Sequence, residues 1–350
     1  MFIDRTSLTY PILTLLSIGK RSFESMGLLI QKSGSTVKRL LQPAAHSFLC
    51  SQNICQSVFK GKRRLFVAID DTLIKKIHSK FMWGAGLFYD TKMGRRIMAY
   101  RLVVGIITDG KIAIPIHCAY LFSKELLDAI PEKFETKDDV AISIIQIALK
   151  LFPHAKIIVT ADGLYSTVKL LAWCRSRNIA FEARMHSNRV VEYKGEKVTV
   201  RDLIMIRGLC PKGRQMGRTI SVQWHEIDLE LTIVRRFDKS GKESIVYQIA
   251  TYKALPCEHI KHYAKRWRIE MINRTAKQYI GIQECFSRKL ETQFNHVAAV
   301  LLAYTLAQLD MRINKLDTPE ESIRRSKMKK VDSEITRFDR ILQAFSQVVA

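Results

Sequence analysis

The chain has 350 residues, of which 47% are hydrophobic, and its 57 Lys and Arg against 33 Asp and Glu give a formal net charge of +24. This length and hydrophobic content can bury a large core and predict two or three structural units. The basic excess is far from the charge balance of an ordinary cytosolic enzyme and favours a polyanionic partner. Taken alone, it would fit a ribosomal or membrane-surface protein equally well.

The seven cysteines include no Cys-x-x-Cys pair, which predicts reduced thiols and a cytosolic setting. Cys50 and Cys55, near His46, resemble a zinc half-site most closely, but no second ligand pair follows at finger spacing, so buried thiols are expected. The apolar run at residues 297–309 predicts a core helix and is too short to span a bilayer.

The amino-terminal part is mostly helical by pattern. Two short helices are predicted at residues 22–30 and 35–41, with Gly34 in the turn between them and Ser35 or Thr36 capping the second. Their proportions are those of a DNA-binding helix-turn-helix, and the second helix is basic enough to contact phosphate. A small helical bundle packed on the core has at least equal weight.

The middle of the chain alternates between predicted strands and helices. Strands are predicted at 64–69, 101–108, 111–121, 156–161 and 180–185, and helices at 138–152 and 165–177. A loop rich in Gly and aromatic residues separates the first two strands. The order β-β-β-α-β-α-β, followed by a last helix, is that of a ribonuclease-H-like fold, in which the first and fourth strands are neighbours.

Two of these apolar strands end in acidic residues. Residues 64–69 precede Asp70 and Asp71, and residues 156–161 precede Asp162. Buried strands that end in carboxylates bring them to one edge of a sheet, which is where ligands bind in open α/β sheets. Because strand side chains alternate between faces, Asp70 and Asp71 cannot both point into one site.

Residues 186–252 do not continue the α/β alternation. Period-two patterns predict strands at 190–193, 197–200, 219–225, 229–237 and 244–251, with a Lys-Ser-Gly turn at 239–241 before the last one. The tail after residue 319 is charged and predicts a loose helix, for which phosphate contact and an inert solvated end are equally plausible.

Four chemically active side chains share one face of a predicted helix. Tyr263, Arg266, Glu270 and Lys277 fall within an arc of roughly 60° at 3.6 residues per turn. The opposite side carries the apolar residues Ile269, Ile272, Ala276 and Tyr279. A carboxylate between cations suits a metal-assisted phosphoryl site, although a solvated face with ordinary ion pairs is the alternative.

This spacing resembles the Tyr-(2)-Arg-(3)-Glu-(6)-Lys signature of the IS-four family of insertion-sequence DDE transposases. The four residues match letter for letter, and Trp267 and Ile269 complete the family's usual Arg-Trp-x-Ile-Glu form. With the upstream Asp-Asp-Thr and Asp-Gly, the resemblance covers about residues 60–310 in family order. In that family the first acid is usually followed by Thr, Ser or Gly, which selects Asp71 over Asp70.

The resemblance implies an α/β protein: a ribonuclease-H-like catalytic core interrupted by a β-rich insertion, with an α-helical amino-terminal region. Asp71, Asp162 and Glu270 would be the catalytic metal ligands, and would hold two Mg²⁺ or Mn²⁺ ions. The DNA contacts would come from Tyr263, Arg266, Trp267 and Lys277. Trp267 or Trp224 could stack an unpaired base, with core packing as the alternative for each.

The predicted units are a helical region at 1–58, a catalytic core at 59–185 and 253–315, a β-rich insertion at 186–252 and a charged tail at 316–350. The predicted function is DNA transposition: phosphodiester cleavage at transposon ends and strand transfer into target DNA.

The expected partners are the terminal inverted repeats and target DNA, with a homodimer in the synaptic complex, no membrane, and a DNA-associated location in the prokaryotic cytoplasm. The alternatives are an inactive or domesticated DNA-binding copy, and a ribonuclease-H-like nuclease without strand transfer.

Overall fold

A computed structural model describes residues 5–17, 21–79, 82–90, 93–122, 135–205, 208–211, 215–238 and 240–347. In these ranges the chain forms one mixed β-sheet with α-helices packed against it. Every helix in the described ranges is too short or too polar to cross a membrane.

The strands are β1 Arg64–Lys75, β2 Gly86–Asp90, β3 Arg95–Thr108, β4 Ala113–Leu121, β5 Lys156–Ala161, β6 Ala180–Met185, β7 Val190–Tyr193, β8 Glu196–Thr199, β9 Gly217–Trp224, β10 Ile227–Phe237 and β11 Glu243–Ala250. They pair in the spatial order β2-β3-β1-β5-β6-β11-β10-β9-β7-β8, and β4 also pairs with β3.

The five strands at the centre of the α/β part follow the order β4-β3-β1-β5-β6. Strand β1 is antiparallel to β3 and parallel to β5, and β5 is parallel to β6. The first and fourth predicted strands, β1 and β5, are therefore neighbours as expected, and the order is compatible with a ribonuclease-H-like fold. The apolar run of β5 is buried on both faces, as a central parallel strand requires.

The β-rich strands continue this same sheet. Strand β11 pairs antiparallel with β6, and β10, β9, β7 and β8 follow outward. The five strands predicted between residues 186 and 252 are all present, with ends shifted by no more than two residues. The predicted turn at 239–241 begins at Lys239, which lies outside the described residues.

The helices are α1 Arg5–Leu16, α2 Phe23–Leu29, α3 Gly34–Leu40, α4 Ala44–Val58, α5 Lys137–Leu151, α6 Val168–Ser176, α7 Asp202–Met205, α8 Pro256–Tyr263, α9 Trp267–Thr275, α10 Leu290–Ile313, α11 Pro319–Ser326 and α12 Val331–Gln347. Helix α10 contains the predicted core helix and is buried around nearly its whole circumference. Helix α1 packs against α10, where Tyr10 Oη lies 2.9 Å from His296 Nδ1.

The turn between α2 and α3 differs from the prediction. Ser33, rather than Ser35 or Thr36, caps α3, and Gly34 is the first helical residue instead of a turn residue. The helix begins earlier because Ser33 Oγ accepts a hydrogen bond from the Thr36 N–H. Gly34 then lies against α2, where a Cβ would come within 3.0 Å of the backbone nitrogen of Glu24. A glycine is therefore needed for close approach at this point.

Three further predictions are corrected by the structure. Strand β1 extends six residues beyond its predicted end, so Asp70 and Asp71 lie within a strand. The predicted glycine-rich loop contains β2, a short strand paired only with β3 among the described strands. The tail is not a loose solvated helix, because Phe338 of α12 is fully buried and Arg337 Nη2 lies 2.6 Å from the buried Asp310.

All seven cysteines are free thiols. Cys50 and Cys55 are buried on α4, and His46 shares a hydrogen bond of 2.7 Å with Ser7 Oγ. The prediction that these two thiols are buried is confirmed.

Candidate active site

The site lies where β1 and β5 stop pairing. Ile69 and Ala161 are the last residues that these parallel strands pair, and Asp70 and Asp162 follow directly on each strand. Residues at the same level of parallel neighbours point to the same face of a sheet. Asp70 and Asp162 are therefore placed on one face, and Asp162 begins a 3₁₀ turn at Gly163–Tyr165 that ends the strand.

The signature segment, residues 263–277, is helical but not uniform. Helix α8 ends at Tyr263, a 3₁₀ turn spans Ala264–Arg266, α9 follows, and a π-turn spans Ala276–Ile280. Its apolar side packs as predicted, since Ile269 is fully buried. Isolated π-turns often occur at functional sites, and this one begins at Ala276 and includes Lys277.

The signature segment covers one face of β1. Arg266 Nη1 lies 3.4 Å from Asp70 Oδ2, and Arg266 Nη2 donates a hydrogen bond to Glu270 Oε1. Two residues further along β1, Thr72 accepts a hydrogen bond from Lys277 Nζ. The structure therefore brings Arg266, Glu270 and Lys277 to the face of the sheet that carries Asp70.

Asp71 points to the opposite face of β1, as strand alternation requires. Its Oδ2 lies 3.2 Å from Arg101 Nε on the neighbouring strand β3. Arg101 stands opposite Leu73, which shares the face of Asp71. The residue that the family resemblance selects thus faces away from Glu270, whereas Asp70 is linked to Glu270 through one guanidinium.

Electrostatics sets these carboxylates apart from ordinary surface acids. Burial raises the pKa of Asp70 to about 7; Arg266 lowers it, and Asp71 and Asp162 add to the rise. Burial also raises the pKa of Asp71, against the opposing effect of Arg101 and Lys137, and Asp162 again adds to it. Asp162 is therefore close enough to influence both members of the Asp70–Asp71 pair.

The donor set fits a hard divalent cation. Carboxylate oxygens are the ligands that Mg²⁺ and Mn²⁺ prefer, and a positive charge already lies between Asp70 and Glu270 in the form of the Arg266 guanidinium. Among the described residues, no three His, Cys, Asp or Glu side chains converge closely enough to hold a metal as they stand. Asp70, Asp162 and Glu270 could hold a cation once Arg266 moves from between them.

The two candidate tryptophans have opposite environments. Trp224 is only 5% exposed and packs in the core, as the alternative interpretation expected. Trp267 is 58% exposed, one residue after Arg266. Tyr263 is buried, and Arg266 lies over its ring with its guanidinium carbon 5.6 Å from the ring centre.

A buried polar network that the sequence did not reveal fixes the start of the signature segment. Glu182 of β6 is 1% exposed; it accepts a hydrogen bond from Tyr252 and lies 2.5 Å from His259 Nδ1. His262 Nδ1 lies 2.8 Å from the same Tyr252 hydroxyl. Since His259 and His262 belong to α8, the network holds that helix on the sheet and so positions Tyr263.

The comparison with known families agrees with this geometry. The family model described as a transposase DDE domain matches residues 61–306, more than half of the chain. A search of curated proteins found no match. The matched range contains both acid-bearing strands, the β-rich strands and the whole signature segment, so this chain belongs to the family of proteins with a transposase DDE domain.

Proposed function

We propose that this protein is the transposase of an insertion sequence, which cleaves phosphodiesters at the element's ends and joins the freed 3′-hydroxyl to target DNA. One observation carries the proposal: in a chain with a transposase DDE domain, Arg266 links Glu270 to Asp70 beside the end of β5. The match of the signature to the IS-four pattern supports assignment to that group.

The proposed catalytic carboxylates are Asp162, Glu270 and one member of the Asp70–Asp71 pair. The resemblance selects Asp71, whereas the contacts favour Asp70, because Asp70 shares its face with the signature segment. When bound, two Mg²⁺ or Mn²⁺ ions would activate the attacking oxygen and stabilise the leaving oxygen of an in-line displacement.

The other residues of the signature segment have binding and positioning roles in this proposal. Lys277 and Arg266 flank Glu270 and would contact DNA phosphates on either side of it. Tyr263 supports the Arg266 guanidinium through its ring. The exposed Trp267 would stack on an unpaired base near the cleaved end.

The assembly and the organisation of the chain are part of the same proposal. The partners would be terminal inverted repeats and target DNA, bound by a homodimer. The catalytic core would comprise residues 59–185 and 253–315, interrupted by the insertion at 186–252, with the helices before residue 59 as a possible DNA-binding region. The alternative of an inactive DNA-binding copy is less favoured because Asp71, Asp162 and Glu270 are all intact.

The decisive experiment measures metal-dependent cleavage of a plasmid that carries the element's ends, identified from flanking genomic DNA as matched inverted repeats beside short direct repeats. Asp162→Asn and Glu270→Gln should abolish cleavage in Mg²⁺, because an amide is a poor ligand for a hard cation, and both should still bind DNA. Asp228→Asn, at an exposed position on β10, is the matched control and should cleave normally. Absence of metal-dependent cleavage by the unmodified protein would favour the inactive copy.

A further inference from the structure

The face of β1 that carries Asp70 continues well past the carboxylate site. Alternation along the strand puts Asp70, Thr72 and Lys76 on one face. Lys76 directly follows the last residue of β1, and its main-chain N–H still donates to Met98 O of β3 as a further step of the ladder. Lys76 therefore lies in line with Asp70, about 20 Å further along the strand direction.

The chain that follows the signature segment covers this extension of β1. Gln283 Nε2 donates a hydrogen bond of 3.2 Å to Leu73 O. In return, Lys76 Nζ donates to the main-chain oxygens of Gln283 and Cys285, at 3.0 and 2.8 Å. Between the end of β1 and this covering chain is a cleft of about 810 Å³, which we call the β1-end cleft. It is large enough for a nucleotide, since ligand pockets usually measure roughly 300–1,000 Å³.

The charged residues that line the β1-end cleft are all basic. Lys75, Lys76 and Arg288 line it, whereas no Asp or Glu among the described residues does so. Lys75 is paired with Asp90, but Lys76 is 7% exposed and has no carboxylate partner in the described ranges. A buried cation without a counter-charge costs free energy that an anion in the cleft would recover. The lining therefore suits an anionic ligand.

Two aromatic side chains at the β1-end cleft remain uncovered. Trp83 is 40% exposed and Phe286 is 63% exposed. The turn that carries Trp83 is fixed, because Tyr100 Oη donates a hydrogen bond of 2.9 Å to Trp83 O. Exposed aromatic rings beside cations are the means by which proteins bind unpaired nucleotides, since the base stacks on the ring while the phosphate meets the cation.

We propose that the β1-end cleft binds an unpaired nucleotide of the DNA strand that leaves the carboxylate site. The base would stack on Trp83 or Phe286, and the phosphate would lie toward Lys76 and Arg288. A paired base does not suit this site, because a duplex keeps its bases stacked and so presents no free ring face. The identity of the strand as DNA rests on the proposed function.

The position of the cleft sets how much of the DNA must be unpaired. The strand would pass from Asp70 along Lys277, which donates to Thr72 on the same face of β1, before it reaches Lys76. At the rise of a stacked strand, about 3.4 Å per nucleotide, this path corresponds to roughly six nucleotides, and to fewer if the strand is stretched. A single-stranded tail of about eight nucleotides is therefore long enough to reach the cleft.

The first test compares a duplex that carries such a tail with the same duplex with blunt ends, by fluorescence anisotropy in EDTA. Trp83→Ala should lower affinity for the tailed duplex about 5- to 150-fold, the usual effect of losing one stacked base, and leave affinity for the blunt duplex unchanged. Trp83→Phe keeps an aromatic ring and should retain most of the affinity. Tyr89→Ala is the matched control, since Tyr89 is an exposed aromatic residue of β2 outside the cleft.

The outcomes of this comparison are distinct. Loss of affinity for the tailed duplex alone supports the proposal. Equal losses on both duplexes, or unchanged affinity of Trp83→Ala for the tailed duplex, would overturn it.

The second test concerns the cations. Lys76 also holds two main-chain oxygens, so the exposed Arg288 is the residue to change. Arg288→Gln should lower the slope of log K against log salt by about 0.7 for the tailed duplex, the value for one contact to a single strand. Lys289→Gln is the matched control, because Lys289 is adjacent and exposed but does not line the cleft. Equal slopes in both variants would overturn the contact between Arg288 and phosphate.

A free nucleotide is the other source of the same chemistry, and thymidine 5′-monophosphate is the probe for it. Displacement of the tailed duplex by this nucleotide from the unmodified protein, but not from Trp83→Ala, supports the cleft as a nucleotide site. If the nucleotide binds in a Trp83-dependent way while tailed DNA does not, the DNA strand is overturned as the ligand. No metal is present and no cleavage is measured, so failure of this proposal and failure of the proposed function are distinguishable.

Discussion

The exchange of Asp70 for asparagine gives the sharpest physical test of the site. Burial and the neighbouring carboxylates raise the pKa of Asp70 from 3.8 to about 7, so folding disfavours the charged form of this side chain. The stabilisation that protonated Asp70 contributes is complete below pH 3.8 and is lost as the pH rises through about 7. Asparagine cannot ionise, so Asp70→Asn removes this dependence.

The size of this loss in unfolding free energy follows from the shift in the pKa of Asp70. Each pKa unit corresponds to about 1.4 kcal/mol, and roughly two units separate pH 5 from the pKa of folded Asp70. Between pH 5 and pH 8, the unmodified protein should therefore lose about 3 kcal/mol of unfolding free energy relative to Asp70→Asn.

The assay is urea denaturation in EDTA at several pH values, with Asp228→Asn as the control that should follow the unmodified protein. A difference between the unmodified protein and Asp70→Asn that does not change with pH would refute the reasoning.

Adding Mg²⁺ to the same assay separates the two aspartates. A cation that binds only the folded protein raises its stability by mass action, and the gain should be largest near pH 8, where Asp70 is ionised. If Asp70 is a ligand, Asp70→Asn should lose this gain and Asp71→Asn should keep most of it. The reverse result would favour Asp71, the assignment that the family resemblance gives.

Three further predictions concern the signature segment, the last of them with a buried tryptophan of β9 as its comparison. Arg266→Ala should bind Mn²⁺ more tightly than the unmodified protein in titration calorimetry without DNA, because no guanidinium then competes with the cation for Glu270. In the same variant, DNA cleavage should fall more than DNA affinity does. An unchanged Mn²⁺ affinity would contradict the competition between Arg266 and the cation. Lys277→Ala should lower the salt slope of DNA binding by about one, and an unchanged slope would show that Lys277 contacts no phosphate. Trp267→Ala should leave the melting temperature unchanged and weaken binding to DNA with an unpaired end, because this side chain is exposed. Trp224→Ala should destabilise the protein by about 3–5 kcal/mol, because this side chain is buried in the core. The opposite pattern would contradict the roles of base stacking for Trp267 and core packing for Trp224.

Much of the central sheet could be predicted from the sequence, and the reason lies in its burial. Strand β5 was predicted at its observed bounds because a parallel strand buried on both faces is a continuous apolar run. The apolar pattern ends β1 too early, because the acidic pair that begins at Asp70 interrupts the apolar run while the strand itself continues. Strand β2 cannot be predicted from its pattern because its apolar Leu87 and Tyr89 are exposed, whereas the residue that is buried at its end is the charged Asp90.

The site itself was only partly accessible from the sequence. Spacing identified Glu270 and its flanking cations, but a regular helical pattern cannot show the π-turn that begins at Ala276. Nor could the pattern show which charged strand residues would be buried. Glu182 resembles an ordinary outward-facing residue until helix α8 is found packed over its face of β6.

The pairing of β6 with β11 has a consequence for truncation of this protein. Because the sheet runs without a break from the core into the β-rich strands, β6 depends on β11 for one row of its backbone hydrogen bonds. Removing residues 186–252 to isolate a minimal core would expose that row of amide and carbonyl groups beside a fully buried apolar side chain, Phe181. A bare strand of this kind is a template for intermolecular pairing, so such a fragment should aggregate instead of remaining a smaller folded protein.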